Sequence, residues 1–293
     1  MLFFRWKEEN VIEKSIVAWD GRPPSKAALD WALERSCGGE LVMVRVVDRT
    51  GDSADYFMPE SVAITAPITL QNDAAAVQAA HPGVHVRSEV LPGDPIEELK
   101  RLSSENALVV VGTHRRDGPT VRYEWSVGAR LAGAANGPVA IIPEKDGDRG
   151  TGVVVGVDGS AASNSAVRFA AAEADRSGEE LLILHAWQEP LVWPESALPD
   201  AEFLMSLEEI HQRLLDESVA LAQTSYPDIS VRSALVRGAA QWALLEAARG
   251  AALLVVGNHG VHGIKRFLLG SVSHSLVLNI QSPTVVVNAA SSP

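Results

Sequence analysis

The chain has 293 residues, of which 46% are hydrophobic and 21% charged, with a formal net charge of −12 and a pI near 5.1. This length suits two domains of ordinary size, each able to fill a core, and the acidic balance argues against a nucleic-acid partner, which needs clustered Lys and Arg. The one cysteine, Cys37, rules out an internal disulfide or a multi-cysteine metal site and reads as core filler. A small anion held by main-chain N–H groups remains compatible with such a surface.

In chain order, Met1 to Asn10 carries aromatic residues but meets Lys7, Glu8 and Glu9 too soon for the core of a signal peptide. The apolar run that follows ends at Val17-Ala18-Trp19-Asp20-Gly21, and this pattern returns as Val155-Gly156-Val157-Asp158-Gly159. Ser25 and Ala28 match Ser163 and Ala166 at the same offset of 138 residues, while Gly93, Gly112 and Pro138 match Gly238, Gly257 and Pro283 at an offset of 145. The chain is therefore an internal duplication. The length difference falls between the first helix and Gly93, where the copies look least alike, as loop variation on a fixed scaffold would produce.

Each copy reads as strand, helix, strand, variable region, strand, helix, strand, helix, strand. In the second copy the strands are expected over 152–157, 180–186, 230–236, 252–256 and 284–287, with a long amphipathic helix over 200–224. The runs are short, rich in Val and Leu, and barely alternating, as parallel strands covered on both faces should be. Ser163 is placed to cap the first helix of this copy, whose apolar positions Ala166, Val167, Ala170 and Ala174 follow the helical period.

The segment 144–151 is the expected linker, giving domains over 13–143 and 152–289. Residues 267–293 contain no Asp, Glu, Lys or Arg, yet Gly270, His274, Pro283 and scattered serines argue against a membrane span. A cytoplasmic protein is expected.

These elements predict two doubly wound, open parallel α/β sheets of Rossmann-like strand order 3-2-1-4-5. Ligands of such sheets bind beyond the carboxyl ends of the strands, where the order reverses. In the second copy that crevice brings together the loop Asp158-Gly159-Ser160 and the loop Gly257-Asn258-His259-Gly260. Nine residues after Gly260 come Gly270-Ser271-Val272-Ser273, a serine-led helix start. A glycine-punctuated loop opening onto a helix N-terminus favours an anion.

The signature Gly-x2-Gly-x9-Gly-Ser, complete at Gly257, Gly260, Gly270 and Ser271 and paired with the upstream Asp158 motif, resembles that of the universal stress protein family in its tandem-domain form. The resemblance covers about 13–288 and implies ATP, with or without Mg2+, as ligand. It would put Asp158 at the adenosine end and Ala186 in the adenine pocket, with Gly257 and Gly260 around the phosphates. Gly270, Ser271, Val272 and Ser273 would hold phosphate at the last helix, and Lys265 and Arg266 could reach the phosphate tail or stay solvated. The alternative for the glycines is a tight turn alone, with Asp158 capping its own loop.

The first copy keeps Gly112 but places Arg115 and Trp125 where the second and third glycines stand, followed by Ser126 and Gly128. Asp20 and Val46 match the nucleoside end, and Arg22-Pro23-Pro24 replaces the serine-containing loop. Two accounts fit: a pseudo-domain, which is preferred, or a differently posed anion held by His114, Arg115 and Arg116. The expectation is one ATP per chain, in the second half.

No P-loop lysine motif is present, and no acidic pair marks a Mg2+ site. His259 and His262 lack a third zinc ligand, and His185 reads as a satisfied strand residue. The loop after the second copy's first strand also lacks the Ser-Gly-Gly-x-Asp-Ser of the ATP pyrophosphatases. A non-catalytic, nucleotide-dependent regulator is therefore expected, against an adenine-nucleotide hydrolase or adenylyl transferase and a scaffold without nucleotide. The apolar final strands, 139–142 and 284–287, are sheet edges suited to pairing in an internal pseudo-dimer, and whole chains could associate further as a homodimer.

Overall fold

A computed structural model of the chain describes residues 12–36, 39–47, 60–114, 127–144, 150–189, 201–258 and 269–288. The first copy comprises β1 (Lys14–Ala18), α1 (Pro23–Arg35), β2 (Glu40–Val47), α2 (Glu60–Ala80), β3 (His85–Pro92), α3 (Pro95–Leu102), β4 (Ala107–Thr113), α4 (Val127–Ala134) and β5 (Val139–Pro143). The second comprises β6 (Val153–Val157), α5 (Ala161–Ser177), β7 (Leu181–Trp187), α6 (Ala201–Ser225), β8 (Val231–Arg237), α7 (Ala240–Ala248), β9 (Leu253–Asn258), α8 (Ser271–Leu278) and β10 (Thr284–Asn288).

The strands form one sheet in the order β3-β2-β1-β4-β5-β10-β9-β6-β7-β8. Each half has the expected order 3-2-1-4-5, and every pairing is parallel except that of β5 with β10, which is antiparallel. Strands covered on both faces bury both sets of alternating side chains, which is why they read as unbroken apolar runs. In β10, Val285 and Val287 face a core shared with α1, α2, α5 and α6, while Val286 faces the opposite core, shared with α3, α4, α7 and α8.

The seam between the halves has an internal symmetry. Val285 pairs with Ala140, its own equivalent at the 145-residue offset, and Thr284 and Val286 pair with Ile141 and Val139, the equivalents of each other's positions. In a two-fold interface a residue meets its own counterpart only on the axis. The pseudo-two-fold axis of the duplication therefore passes between Ala140 and Val285.

The helix starts depart from expectation in one respect. Ser160, not Ser163, caps α5: its side chain accepts from the Ser163 N–H at 3.1 Å, and the Ser163 hydroxyl donates back to the Ser160 carbonyl at 3.0 Å. Ser163 lies inside the first turn because Asp158 closes the preceding loop on the Ser160 N–H at 3.0 Å, which starts the helix earlier. In the first copy Asp20 makes the same turn to Arg22, at 2.9 Å, but α1 opens on Pro23 and Pro24 and has no side-chain cap. A proline is tolerated there because the first helical N–H groups lack intrahelical partners, yet it also deletes those donors.

Candidate functional site

Beyond the carboxyl ends of β6 and β9, the second copy holds a cavity of about 210 Å3. Its walls include Asp158 and Ser160 from the loop after β6, Ala186 from β7, Gly257 from β9, and Gly270, Ser271, Val272 and Ser273 from the start of α8. Asp158, Ser160 and Gly257 are residues the sequence puts at the strand-order reversal, and Ala186 and Gly270 to Ser273 are those the resemblance implies; all lie on one surface. Gly159 does not line the cavity; its φ of +80° serves the turn, as at Gly21 in the first copy. Gly260, Lys265 and Arg266 lie outside the described residues, as do His259 and His262.

Two helix N-termini meet at this cavity. Ser160 opens α5 and Gly270 occupies the N-cap of α8. The amides of a first helical turn have no intrahelical acceptor, and the helix dipole adds partial positive charge there. The Ser273 hydroxyl is turned away from this role, donating to the Gly257 carbonyl at 2.9 Å and so fixing α8 against β9. The Gly270 N–H is held by Asn258 Oδ1 at 3.2 Å.

Of the three glycines that line the cavity, Gly257 and Gly270 stand in different surroundings. A Cβ on Gly257 would lie 2.6 Å from the main chain of Ala162, so the close approach of α5 to β9 requires its absence. Gly112 in the first copy is constrained alike, its Cβ falling 2.0 Å from the Pro24 carbonyl oxygen. Gly270 has an ordinary backbone (φ −59°, ψ 155°), and among the described residues no atom lies within 4 Å of where its Cβ would be. Among the described residues, no packing contact demands glycine at 270.

The cavity's apolar side is built from Leu184, Ala186, Ala240, Leu244 and Val256. The resemblance implied Ala186 among these; Ala240 and Leu244 were missed because α7 reaches the site only through tertiary packing. Leu244 sits so close over Gly156 that a Cβ there would come within 2.8 Å of it.

His185 turns to the other side of β7. It is buried, with Nδ1 2.7 Å from the Val157 carbonyl and Nε2 2.8 Å from His211 Nδ1, so it donates from Nδ1 and accepts at Nε2. His211 stacks on Trp187, and burial, then the neighbouring His185, lowers its pKa from the usual 6.5. The pair fastens α6 to the sheet. Among the described residues no three His, Cys, Asp or Glu side chains gather into a metal-binding group.

In the first copy Asp20 is exposed and bonded within its own turn, Val46 lies on β2 in register with Leu91, and Gly112 packs on Pro24. Arg115 and Ser126, with Trp125, lie outside the described residues.

The model of one protein family, the universal stress protein family, matches residues 12–143 and again 151–288. The chain belongs to this family. A universal stress protein of Mycobacterium tuberculosis, Rv1996, is 32% identical over 305 residues, spanning 95% of this chain and 96% of its own length. Another from the same species, Rv2005c, is 33% identical over 69% of this chain. Among solved structures, a universal stress protein from Archaeoglobus fulgidus aligns over 94% of this chain and 98% of its own, with a TM-score of 0.67 at 21% identity. A Pseudomonas aeruginosa protein of the same family aligns over 95% with a TM-score of 0.62. These structures share the tandem α/β architecture. No helix among the described residues is long and apolar enough to cross a membrane.

Proposed function

We propose that the second domain of this universal stress protein binds ATP in the cavity between β6, β9 and α8, and that the protein is a nucleotide-dependent regulator rather than an enzyme. The observation that carries this reading is Gly270: a glycine with unstrained dihedrals and no atom of the described residues within 4 Å of where its Cβ would be, at the N-cap of a helix whose first turn, with amides that lack intrahelical acceptors, lines the cavity. An anionic phosphate chain fits those amides. The apolar wall of Ala186, Leu184 and Leu244 suits a flat base, and the exposed Asp158 at the rim suits a ribose. Family membership supports the same ligand.

Bound ATP would supply a polyanion that joins α5, α8 and the end of β9 into one rigid body. Signalling then follows if that state differs in population from the empty one and a partner reads the difference. The carboxylate on the cavity wall, Asp158, accepts from the Ser160 N–H of its own loop at 3.0 Å, which suits a positioning role. We place the protein in the cytoplasm and expect further chain association to be secondary to the internal pairing of β5 with β10.

Isothermal calorimetry with ATP, and mass spectrometry of nucleotide carried through purification, test the reading together. One ATP per chain is the expected stoichiometry. Two sites of equal affinity, or none, would overturn it.

A further inference from the structure

A line of side-chain amides leads from the α8 N-terminus into the first domain. The Gly270 N–H donates to Asn258 Oδ1 at 3.2 Å, Asn258 Nδ2 donates to Asn288 Oδ1 at 2.8 Å, and Asn288 Nδ2 donates to the Gly137 carbonyl of the first domain at 3.0 Å. The polarity is fixed at both ends. A main-chain N–H can only donate and a carbonyl can only accept, so each amide has one orientation that satisfies the line. Asn258 is only 2% exposed, and the two asparagines face each other in register at the ends of β9 and β10.

The first domain has no counterpart. At the 145-residue offset, Asn258 corresponds to Thr113, Asn288 to Pro143 and Gly137 to Ser282. Thr113 and Pro143 are again paired in register, but proline has no side-chain donor to send back across the seam. The connection therefore runs one way, from the second domain's cavity to the first domain's α4–β5 turn. That turn packs closely on the segment after α3: a Cβ on Gly137 would fall 1.9 Å from the Ser104 carbonyl oxygen, and the Asn136 N–H bonds the Ser103 hydroxyl at 2.9 Å.

We propose that Asn258 is a positioning residue for the anion site at α8, and that its orientation is set through Asn288 by the main chain of the first domain. The first domain would then complete the second domain's site without touching the ligand. The part concerning ligand rests on the ATP reading above; the hydrogen-bonded relay does not.

The test uses the full chain without ligand, comparing wild type with Asn288→Ala and Asn288→Asp by amide hydrogen exchange. Asn288→Ala should speed exchange at the Gly270 amide about five- to tenfold, the effect of one hydrogen bond of ordinary strength, while the β6 amides keep their rates. Asn288→Asp retains an acceptor for Asn258 but loses the donor to Gly137, so it should resemble Asn288→Ala if the first domain sets the orientation. Unchanged Gly270 exchange in Asn288→Ala overturns the relay, and wild-type rates in Asn288→Asp overturn the role of the first domain. Calorimetry on the same proteins should show ATP affinity about tenfold weaker in Asn288→Ala. If wild type binds no ATP, the ligand reading fails, and the exchange rates still decide the relay.

Discussion

Arg35 of α1 and Glu173 of α5 occupy equivalent positions of the two repeats, 138 residues apart, and pair with each other across the pseudo-two-fold axis. Glu173 is 3% exposed and also takes Arg176 from its own helix, while the Arg35 guanidinium lies against the Trp31 and Phe169 rings. In a dimer of identical domains the same position would set Arg against Arg or Glu against Glu. Duplication within one chain lets the two copies differ, and here the difference is a charge complement.

The two halves of this pair should respond unequally to mutation. Removing one partner of a buried ion pair leaves an uncompensated charge, at a cost of about 3–5 kcal/mol. Glu173→Leu should approach that range, because Arg35 is left among aromatic rings. Arg35→Met should cost less, about 1–3 kcal/mol, because Arg176 still neutralises Glu173. Urea unfolding of both variants checks the order; an equal or inverted pair of midpoints would refute it.

Gly257 and Gly270 separate folding from binding. Gly257→Ala forces a Cβ into the Ala162 main chain and should destabilise by about 1–3 kcal/mol, as overpacking does. Gly270→Val, or Gly270→Trp in imitation of Trp125, meets no atom of the described residues within 4 Å of its Cβ and should leave the melting temperature without ligand unchanged. Both Gly270 variants should abolish the rise in melting temperature that saturating ATP gives wild type. A Gly270→Trp protein that still gains stability from ATP would remove the phosphate assignment at α8.

His211 gives the fold a pH dependence of known sign. Its pKa is lowered in the folded protein, so as pH falls below about 6.5 the unfolded chain takes up the proton first and stability declines. His211→Gln keeps a donor for His185 Nε2 but cannot titrate. Its melting temperature should therefore fall less than that of wild type between pH 7 and pH 5. Parallel curves for the two proteins would show that His211 contributes nothing to the acid limb.

The strands and the α6 helix were readable because each is a run of uniform apolar character or clear period. Their ends moved by a residue or so, as at β9, where Gly257 and Asn258 continue the strand past Val256. The meeting of Asp158 and Gly257 was readable because strand order alone brings their loops together, whereas Ala186 and Gly270 were placed there by the family resemblance. Contacts made across the seam were not readable. Arg35 and Glu173 are visible as equivalents in the repeat, but their pairing depends on where the axis falls. Asn258 and Asn288 end apolar strands at matched positions, a signal that polar partners exist without saying that one of them is the Gly137 carbonyl. The cap of α5 was misplaced because Ser160 and Ser163 are both good caps, and the turn closed by Asp158 decides between them.

The first domain should not become an ATP site by restoring one glycine. Trp125 corresponds to Gly270 at the 145-residue offset, so Trp125→Gly removes the largest departure from the second copy's motif. The helix after the first strand differs as well: α1 begins with Pro23 and Pro24 and lacks a side-chain cap, whereas α5 presents Ser160 and an intact first turn to its cavity. Main-chain N–H groups absent from two successive prolines cannot be recovered by changing the opposite loop. Calorimetry of Trp125→Gly should still give one ATP per chain. A second site in that single variant would mean that the indole alone closes the first domain, and that the α1 amides have no part in holding phosphate.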